Sequence, residues 1–277
     1  SSLVGSEMCI RDSVEVIHER RDTLFGGRLP APNLKTLAGL TNYVEEHGCD
    51  IGIATDGDAD RLGVIDDKAE FLHPNKILVL LYYYLMRYRG WRGAAVRNLA
   101  TTHLLDRIAE DFGETCYEVP VGFKYVSAKM VETGAIIGGE SSGGLTVRGH
   151  IQGKDGIYAA ALLVEAIAKT GRRLSALWDE ITQKYGAAEM AEHDFHFSSA
   201  ERTRIFKLLM EDKQLPEFPC EIAKVSYMDG CKVYFKNGGW VIARFSGTEP
   251  LLRVFCEMDT MENAEKVAKI LTEFLSL

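Results

Sequence analysis

Short apolar runs and helix-length amphipathic segments alternate along most of the chain. A short apolar run between turn residues is typical of a buried strand, and apolar residues every three or four positions are typical of a helix. From 68 to 186 the patterns predict helices over 74–89, 102–112, 124–132 and 157–169, and strands over 94–98, 115–119 and 135–138. Such alternation predicts an α/β domain with a largely parallel sheet.

The first part of the chain contains fewer elements. From 14 to 67 we predict a helix that Gly48 ends, a strand over Ile51–Ala54 and a segment over 62–65 that continues this strand or pairs beside it. These elements bury too little apolar surface for an independent domain, so we interpret 14–67 as the end of a truncated domain. Residues 1–13 have neither an amphipathic period nor the anatomy of a signal peptide, and we interpret them as a non-native leader.

The last part of the chain has a different order of elements. We interpret 186–196 as a linker and expect a helix over 202–210. The hairpin signal Asn237-Gly-Gly239 stands between two strand patterns, and the final segment reads as a helix. Its strands are predicted over 231–235, 240–245 and 252–257. The predicted fold class is therefore α/β with mixed or parallel sheets, followed by a small α+β domain with an antiparallel sheet over 187–277.

Composition excludes several classes of function. With 46% hydrophobic and 26% charged residues, the chain has the composition of an ordinary globular protein. Its net charge of −8 argues against a generic nucleic-acid binder or a binder of anionic membranes. The longest apolar run, Ile77–Met86, is too short to cross a bilayer and predicts a buried helix. The six cysteines show no metal-ligand spacing, so we expect reduced thiols and a cytoplasmic protein.

Three alternate aspartates, Asp56, Asp58 and Asp60, follow the predicted strand Ile51–Ala54, and Arg61 comes next. Alternation on an extended backbone points the three carboxylates the same way. Two carboxylates about 4 Å apart repel by roughly 4 kcal/mol, so the group needs a cation. An all-oxygen set with open positions suits Mg²⁺, and Arg61 could bind a phosphate oxygen. The alternative is a solvated acidic turn.

A glycine-rich loop follows the last strand of the middle segment. Gly138-Gly-Glu-Ser-Ser-Gly-Gly144 offers a carboxylate and two hydroxyls, which could bind sugar hydroxyls or form a plain turn. Downstream, Asp155 is the expected N-cap of the next helix. Capping does not account for Lys154, which is either a surface charge or a site cation. Lys124, in Gly122-Phe-Lys-Tyr125, has the same two interpretations.

A turn rich in hydrogen-bond donors joins the last two predicted strands. The segment Arg244-Phe-Ser-Gly-Thr-Glu-Pro-Leu-Leu-Arg253 offers two guanidiniums, two hydroxyls and the backbone amides around its glycine. The donors are Arg244, Ser246, Gly247, Thr248 and Arg253. Together they suit a phosphate dianion, and the alternative is a capped turn with surface arginines.

These four loops, in this order, resemble those of the α-D-phosphohexomutase superfamily, and most closely its phosphoglucomutase and phosphomannomutase members. The matching segments are Thr55-Asp-Gly-Asp-Ala-Asp-Arg61, Gly122-Phe-Lys-Tyr125, Gly139-Glu-Ser-Ser-Gly-Gly144 with Lys154-Asp-Gly156, and Arg244-Phe-Ser-Gly-Thr-Glu-Pro250 with Arg253. Many phosphomannomutase-like members carry a histidine where this chain has Gly144, which favours a loop of the phosphoglucomutase type.

The resemblance also implies a domain arrangement. Members have four domains around a central cleft, and the first domain carries a phosphorylated serine. On that map the chain holds the end of the metal-binding domain over 14–67, the sugar-binding domain over 68–186 and the phosphate-binding domain over 187–277. We find no counterpart of the serine segment T-A-S-H-N-P. We therefore expect a phosphohexomutase fragment that is inactive without an N-terminal phosphoserine domain.

The implied reaction is a relay of phosphoryl groups. A phosphoserine donates to a hexose 1- or 6-phosphate, and the resulting hexose 1,6-bisphosphate reorients and returns its other phosphate. The resemblance assigns Mg²⁺ to Asp56, Asp58 and Asp60, and catalytic roles to Arg61 and Lys154. It assigns sugar binding to Glu140, Ser142 and Lys124. It assigns the phosphate that is not transferred to Arg244, Ser246, Gly247, Thr248 and Arg253.

Two other functions fit some of these loops. A non-catalytic sugar-phosphate-binding module would share every ligand-binding loop and differ only in having no serine domain upstream. An Mg²⁺-dependent phosphatase would use the aspartate loop with an aspartyl nucleophile, but it gives the loop Arg244–Arg253 no role. The loops fit glucose, mannose and glucosamine phosphates alike, and no pattern indicates an oligomeric state.

Overall fold

A computed structural model of the chain describes residues 13–27, 29–247 and 249–277. Apart from Ser13, the predicted leader over 1–13 lies outside these residues. The described residues form three sheets, and helices pack against each of them. The predicted fold class is confirmed, because α/β elements with a mixed sheet precede a smaller part with an antiparallel sheet. The domain limits at 14–67, 68–186 and 187–277 remain a prediction.

The first sheet is small and antiparallel. Its strands are β1 (Gly52–Thr55), β2 (Leu62–Ile65) and β3 (Phe71–Leu72). β1 and β2 form a hairpin in which Thr55 pairs with Leu62, so the second of the two predicted alternatives for 62–65 is confirmed. Helix α1 (Ala38–His47) packs on the hairpin through Val44 and ends at Gly48, which has a left-handed φ of 64°.

The second sheet carries the largest core. Its strands are β4 (Ala95–Asn98), β5 (Cys116–Val119), β6 (Ile137–Gly139) and β7 (Leu145–Val147). β4 is parallel to β5 and β6, whereas the edge strand β7 is antiparallel to β6. Its helices are α2 (Pro74–Arg87), α3 (Leu104–Asp111), α4 (Phe123–Thr133), α5 (Gly156–Thr170) and α6 (Leu174–Tyr185). The apolar run Ile77–Met86 is a buried helical segment of α2, as predicted.

The third sheet is entirely antiparallel. Its strands, in chain order, are β8 (Glu189–His196), β9 (Ile222–Ser226), β10 (Cys231–Phe235), β11 (Trp240–Phe245) and β12 (Leu251–Met258). The spatial order is β8-β12-β11-β10-β9. Two helices, α7 (Ser199–Phe206) and α8 (Met261–Phe274), cover it. α8 places Val267 and Leu271 in the core because its apolar residues repeat at helical spacing.

The interpretation of 186–196 as a linker is wrong. Residues Glu189–His196 form the edge strand β8, which pairs with the whole length of β12. From 191 to 196 each odd-numbered residue is less exposed than the even-numbered residue that follows it, so the strand does have a period of two. The polar residues on its outer face mask that period, as is common in an edge strand with one face toward water.

Hydropathy also does not predict α6, β7 or β9. β7 has only three residues, and β9 is an edge strand whose first residues are exposed. Helix α7 begins at the N-cap Ser198, earlier than the predicted start at 202, because Ser198 and Glu201 form a reciprocal capping box. The two strands depend on pairing with a neighbouring strand, and α7 begins at its cap. Helix α6 has no side-chain cap and is held by burial of Leu174, Leu177 and Ile181.

The third sheet packs against the carboxyl ends of β4 and β5. Leu99, Trp240 and Ile242 form a buried apolar cluster at this junction. Beside them, the fully buried Lys232 donates hydrogen bonds to the Leu99 carbonyl at 2.6 Å and to the Glu118 carboxylate at 2.9 Å. This packing brings the loops after the strands of the second sheet next to the turn between β11 and β12.

Within the described part of the chain, no helix combines the length and apolarity needed to cross a membrane. Five described cysteines carry free thiols. They are Cys49, Cys116, Cys220, Cys231 and Cys256.

Candidate functional site

The three aspartates lie in the loop that joins β1 to β2. This loop is a turn and not an extended strand, because Ala59 has a left-handed φ of 59° and its amide donates to the Asp56 carbonyl at 3.2 Å. The argument from alternation is therefore wrong in its geometry, yet the turn brings the carboxylates together. One oxygen from each of Asp56, Asp58 and Asp60 lies within 4.8 Å of the others. Such a cluster of oxygens can hold a divalent cation.

Asp56 is buried, and Arg61 satisfies its carboxylate. The Arg61 amide donates to Oδ1 at 3.1 Å, and its Nε donates to Oδ2 at 2.6 Å. Burial acts to raise the pKa of Asp56, but the hydrogen bonds from Arg61 outweigh it and hold the pKa below its usual value. Because 41% of the Arg61 side chain stays exposed, the guanidinium can also meet a ligand.

Lys154 reaches the aspartate loop from the turn before α5. Its ammonium contacts the Asp60 carboxylate. Its stem passes over Gly144, where a Cβ would lie 2.2 Å from Cδ of Lys154. The Gly156 amide donates to the Ala59 carbonyl at 2.9 Å, which holds the aspartate loop on the start of α5. The second part of the chain thus supplies a cation to the carboxylates of the first.

Asp155 is the N-cap of α5, as predicted. Its Oδ1 accepts from the Tyr158 amide at 2.9 Å, and its Oδ2 lies 2.7 Å from Nε2 of His150. The His150 ring also stacks on the Tyr158 ring, with centroids 3.9 Å apart. These contacts fix the turn from which Lys154 extends. The sequence gives no signal for His150, because its partners lie five and eight residues away at the start of α5.

Glu140 is buried directly after β6. Its Oε1 accepts from Asn98 Nδ2 and from the Gly122 amide, each at 2.9 Å. Its backbone amide donates to the Gly144 carbonyl at 3.0 Å, which closes the turn to β7. The carboxylate is therefore held in one orientation, while Ser142 in the same turn is exposed.

A cavity of about 200 Å³ lies where the second and third sheets meet. Glu140 and Ser142 line it from the β6–β7 turn, and Arg244 and Arg253 line it from the third sheet. The two arginines are cross-strand partners in the β11–β12 register, so their side chains start side by side. The structure thus brings residues from two separately predicted loops to one cavity.

Acidic side chains hold both arginines. Arg244 Nε donates to Asp229 at 2.8 Å. Arg253 Nη2 donates to Glu249 at 3.2 Å, and its Nε lies 3.6 Å from Asp194. In the turn between the two strands, the Ser246 hydroxyl accepts from the Glu249 amide at 3.3 Å, and Gly247 follows. Thr248, also predicted to bind phosphate, lies outside the described residues.

The other predicted site residues that the structure describes do not line this cavity. Lys124 is exposed in the first turn of α4, with its ammonium 4.8 Å from the centroid of the Tyr125 ring. It is not among the residues that line the cavity. The aspartate loop is joined to the β6–β7 turn by an antiparallel bridge between Arg61 and Gly144.

Two further residues of the site, Asn98 and Asp229, are not singled out by the sequence. Asn98 ends β4 and holds Glu140, and a polar residue at the carboxyl end of a parallel strand could have signalled it. Asp229 lies in the turn between β9 and β10, and no local pattern distinguishes it from an ordinary turn aspartate.

Three family models for phosphoglucomutase/phosphomannomutase match consecutive parts of the chain. The α/β/α domain II model matches residues 4–69, the α/β/α domain III model matches 73–185, and the C-terminal domain model matches 207–274. The chain belongs to the phosphoglucomutase/phosphomannomutase family. The resemblance to the α-D-phosphohexomutase superfamily is thereby confirmed. The first match begins at residue 4, inside the segment that we interpreted as a non-native leader.

Two relatives are similar to the chain over most of its length. A phosphoglucomutase/phosphomannomutase of Thermococcus kodakarensis is 33% identical over 254 residues, which cover 92% of this chain and 53% of the relative. A protein of Pyrococcus furiosus assigned as a phosphoglucosamine mutase is 32% identical over 238 residues, which cover 86% of this chain and 50% of the relative. The chain therefore spans about half the length of these relatives.

Solved structures of the family have the same fold. A protein of Thermus thermophilus assigned as a phosphomannomutase superposes with a TM-score of 0.80 at 29% identity, over 99% of this chain and 58% of that one. Parafusin, a phosphoglucomutase of Paramecium in an open form, superposes with a TM-score of 0.70 at 23% identity, over 91% of this chain and 50% of that one. The second likeness is one of fold alone.

Proposed function

We propose that this chain forms the metal-, sugar- and phosphate-binding part of an Mg²⁺-dependent phosphohexomutase, which interconverts hexose 1-phosphates and 6-phosphates. In this proposal a phosphoserine from outside these 277 residues transfers the phosphoryl group, and a hexose 1,6-bisphosphate is the intermediate. Membership of the family supports the class of reaction. The free thiols support a cytoplasmic location, which is part of the proposal.

The observation that carries the proposal is the cavity shared by Glu140, Ser142, Arg244 and Arg253. A carboxylate and a hydroxyl can bind the hydroxyls of a hexose, and two guanidiniums suit a phosphate dianion. A hexose phosphate presents both kinds of group, separated by one sugar ring. Binding the phosphate that does not react would let the enzyme use remote contacts to position the reacting end.

The aspartate loop fits a magnesium ion by its chemistry. Asp56, Asp58 and Asp60 offer only oxygens, converge within 4.8 Å and leave open positions because Asp58 is exposed. When bound, Mg²⁺ would neutralise charge on the phosphoryl group in transfer. Arg61, held by Asp56, would bind an oxygen of the same phosphoryl group through its exposed edge.

Two lysines complete the proposed site. Lys154, held over Gly144 and against Asp60, would act as the acid and base that exchanges a proton with the reacting oxygen. Lys124 would bind the sugar from the first turn of α4. Its side chain starts two residues after Gly122, which lines the cavity, and has the length to reach toward it.

Calorimetric titration of the chain with the 6-phosphates of glucose, mannose and glucosamine tests the binding part of the proposal. Arg244→Gln and Arg253→Gln should each weaken binding about tenfold or more, because a charge-assisted hydrogen bond contributes about 1.5–3 kcal/mol. Arg173→Gln is the matched control, since Arg173 is exposed and lies 3.8 Å from Asp50. The proposal would be contradicted if the wild type bound none of the three sugar phosphates, or if the control lost as much affinity as the two arginine variants.

Turnover separates the mutase from the two alternatives. With glucose 1-phosphate, glucose 1,6-bisphosphate, Mg²⁺ and an added phosphoserine-bearing domain of a family member, the mutase forms glucose 6-phosphate. A phosphatase releases inorganic phosphate instead, and a binding module does neither. Asp58→Asn should abolish turnover while leaving the arginine cavity intact, because Asp58 does not line that cavity.

A further inference from the structure

Asp229 connects the two sides of the cavity although it belongs to neither predicted loop. Its Oδ2 accepts a hydrogen bond from Arg244 Nε at 2.8 Å and another from the Val121 amide at 3.0 Å. Arg244 belongs to the third sheet, whereas Val121 lies in the loop after β5 of the second sheet. A single carboxylate oxygen therefore joins the phosphate-binding side of the cavity to the sugar-binding side.

The backbone fixes Asp229 in this place. Gly230 has a φ of 88°, and a Cβ there would lie 2.5 Å from the Ala243 carbonyl oxygen and 3.0 Å from Arg244 Cα. These neighbours are backbone atoms of β11 that cannot move aside, so the turn passes over the strand without room for a side chain. The distance between Asp229 and Arg244 is thus set by the fold.

The second hydrogen bond of Asp229 connects it, through the backbone, to Glu140 in the β6–β7 turn. Val121 and Gly122 are consecutive, and their amides donate in different directions. The Val121 amide donates to Asp229, and the Gly122 amide donates to Glu140 Oε1 at 2.9 Å. The side chains of Asp229 and Arg244 are only 25% and 17% exposed, so water does not readily replace their bond.

We propose that Asp229 is a positioning residue that sets the reach of the site, by holding Arg244 at a fixed distance from the loop that orients Glu140. This inference rests on the proposed function and deepens it. The fixed distance favours ligands in which a phosphate and sugar hydroxyls are separated by one hexose ring. It gives no advantage to a bare phosphate.

Two ligands distinguish positioning from simple electrostatics. Inorganic phosphate needs only the arginines, so loss of the nearby negative charge leaves its affinity unchanged or tightens it. Glucose 6-phosphate must contact the arginines and Glu140 together, so loss of the fixed spacing weakens it. A ratio of the two affinities therefore reports the spacing and not the charge.

The experiment is calorimetric titration of the whole chain with glucose 6-phosphate and with inorganic phosphate. Asp229→Asn should weaken glucose 6-phosphate about tenfold while phosphate changes by less than about threefold, because one charge-assisted hydrogen bond is lost. Asp229→Glu keeps the charge but lengthens the side chain, and the same selective loss is expected should Asp229→Asn not fold. Asp259→Asn is the control, since Asp259 is exposed beyond β12 and contacts Asn263.

Other outcomes contradict the inference in recognisable ways. Equal weakening of both ligands would mean that Asp229 only supports the fold. Tightening of both would mean that it only competes for Arg244. Unchanged affinity for glucose 6-phosphate in Asp229→Asn would contradict the inference but not the proposed function. A wild-type chain that binds phosphate but none of the hexose phosphates would instead remove the proposed function and this inference with it.

Discussion

The position of Lys154 depends on Gly144 having no side chain. Its stem crosses Gly144 at a separation that leaves no room for a methyl group. The ammonium then contacts Asp60 at the edge of the aspartate cluster. The Lys154 ammonium thus contacts one of the three carboxylates that we propose for Mg²⁺, so the lysine and the metal ion compete for Asp60. The glycine therefore controls both the proposed acid and base and the proposed metal site.

Gly144→Ala should displace Lys154 from Asp60 without unfolding the chain. The three atoms nearest to the new methyl group are Cδ, Cγ and Cβ of Lys154, which is a flexible side chain, and Gly144 has no left-handed φ. We expect Mg²⁺ to bind roughly twofold to fivefold more tightly, because a partly exposed ion pair contributes up to about 1 kcal/mol. Mg²⁺ titration, with thermal unfolding measured in parallel, checks this.

Gly153→Ala is the matched control for that change. Gly153 is in the same turn, but an added Cβ would meet nothing nearer than 3.8 Å. Lys154→Gln should reproduce the effect of Gly144→Ala on Mg²⁺. If Lys154→Gln binds Mg²⁺ more tightly and Gly144→Ala binds it as the wild type does, the glycine does not set the position of the lysine.

Among the elements, helix α5 matters most because its start joins the turn that carries Lys154 to the aspartate loop. Its N-cap Asp155 follows Lys154, and its first residue Gly156 donates to the aspartate loop. Asp155→Ala should lower the free energy of unfolding by about 1 kcal/mol through loss of the cap. Asp155→Asn can still accept from the Tyr158 amide and should lose only a few tenths of that. Urea unfolding of both variants measures the difference, and an equal loss would assign the effect to the contact between Asp155 and His150.

Elements and loops were predictable from the sequence where their determinants are local. The helix stop at Gly48, the cap at Asp155 and the hairpin at Asn237-Gly-Gly239 each depend on a few adjacent residues. The strand Glu189–His196 depends instead on pairing with β12, some sixty residues later, and its polar edge hides it. In the same way, residue types predict that the loop Arg244–Arg253 binds phosphate, which stays a prediction, but only the fold shows that Asp229 holds Arg244.

For the molecule as a whole, the junction of the second and third sheets is a buried charged network. Lys232 lies between the Leu99 carbonyl, the Glu118 carboxylate and Nε2 of His103, and its ammonium is 4.1 Å from the centroid of the Trp240 ring. Burial and then the Arg97 guanidinium lower the pKa of Lys232 to about 7, against the attraction of Glu118. Because the cavity lies beside this junction, stability of the network and integrity of the site are linked.

Burial, and then Arg97, also lower the pKa of His103 to about 3, so the ring is neutral in the folded chain. Once unfolded, His103 regains its ordinary pKa of 6.5 and takes up a proton below that pH, while the folded chain does not. Stability that is fully present above 6.5 is therefore lost as the pH falls, by up to about 1.4 kcal/mol per pH unit. Burial opposes the ionisation of Glu118, but His103, Arg97 and Lys232 hold its pKa well below the ordinary 4.5, so it adds a loss of the same sign below that value.

Between pH 6.5 and 4.5 the loss should therefore come chiefly from His103. His103→Gln keeps a polar side chain beside Lys232 but removes the titration, so its unfolding free energy should depend less steeply on pH across this interval. His196→Gln is the control, because His196 is exposed on β8. The NMR signals of the His103 ring in the wild type give an independent measurement and should not titrate across the interval. Titration of that ring near its ordinary pKa would show that the junction admits water, and the third sheet would then not hold Arg244 and Arg253 rigidly against the β6–β7 turn.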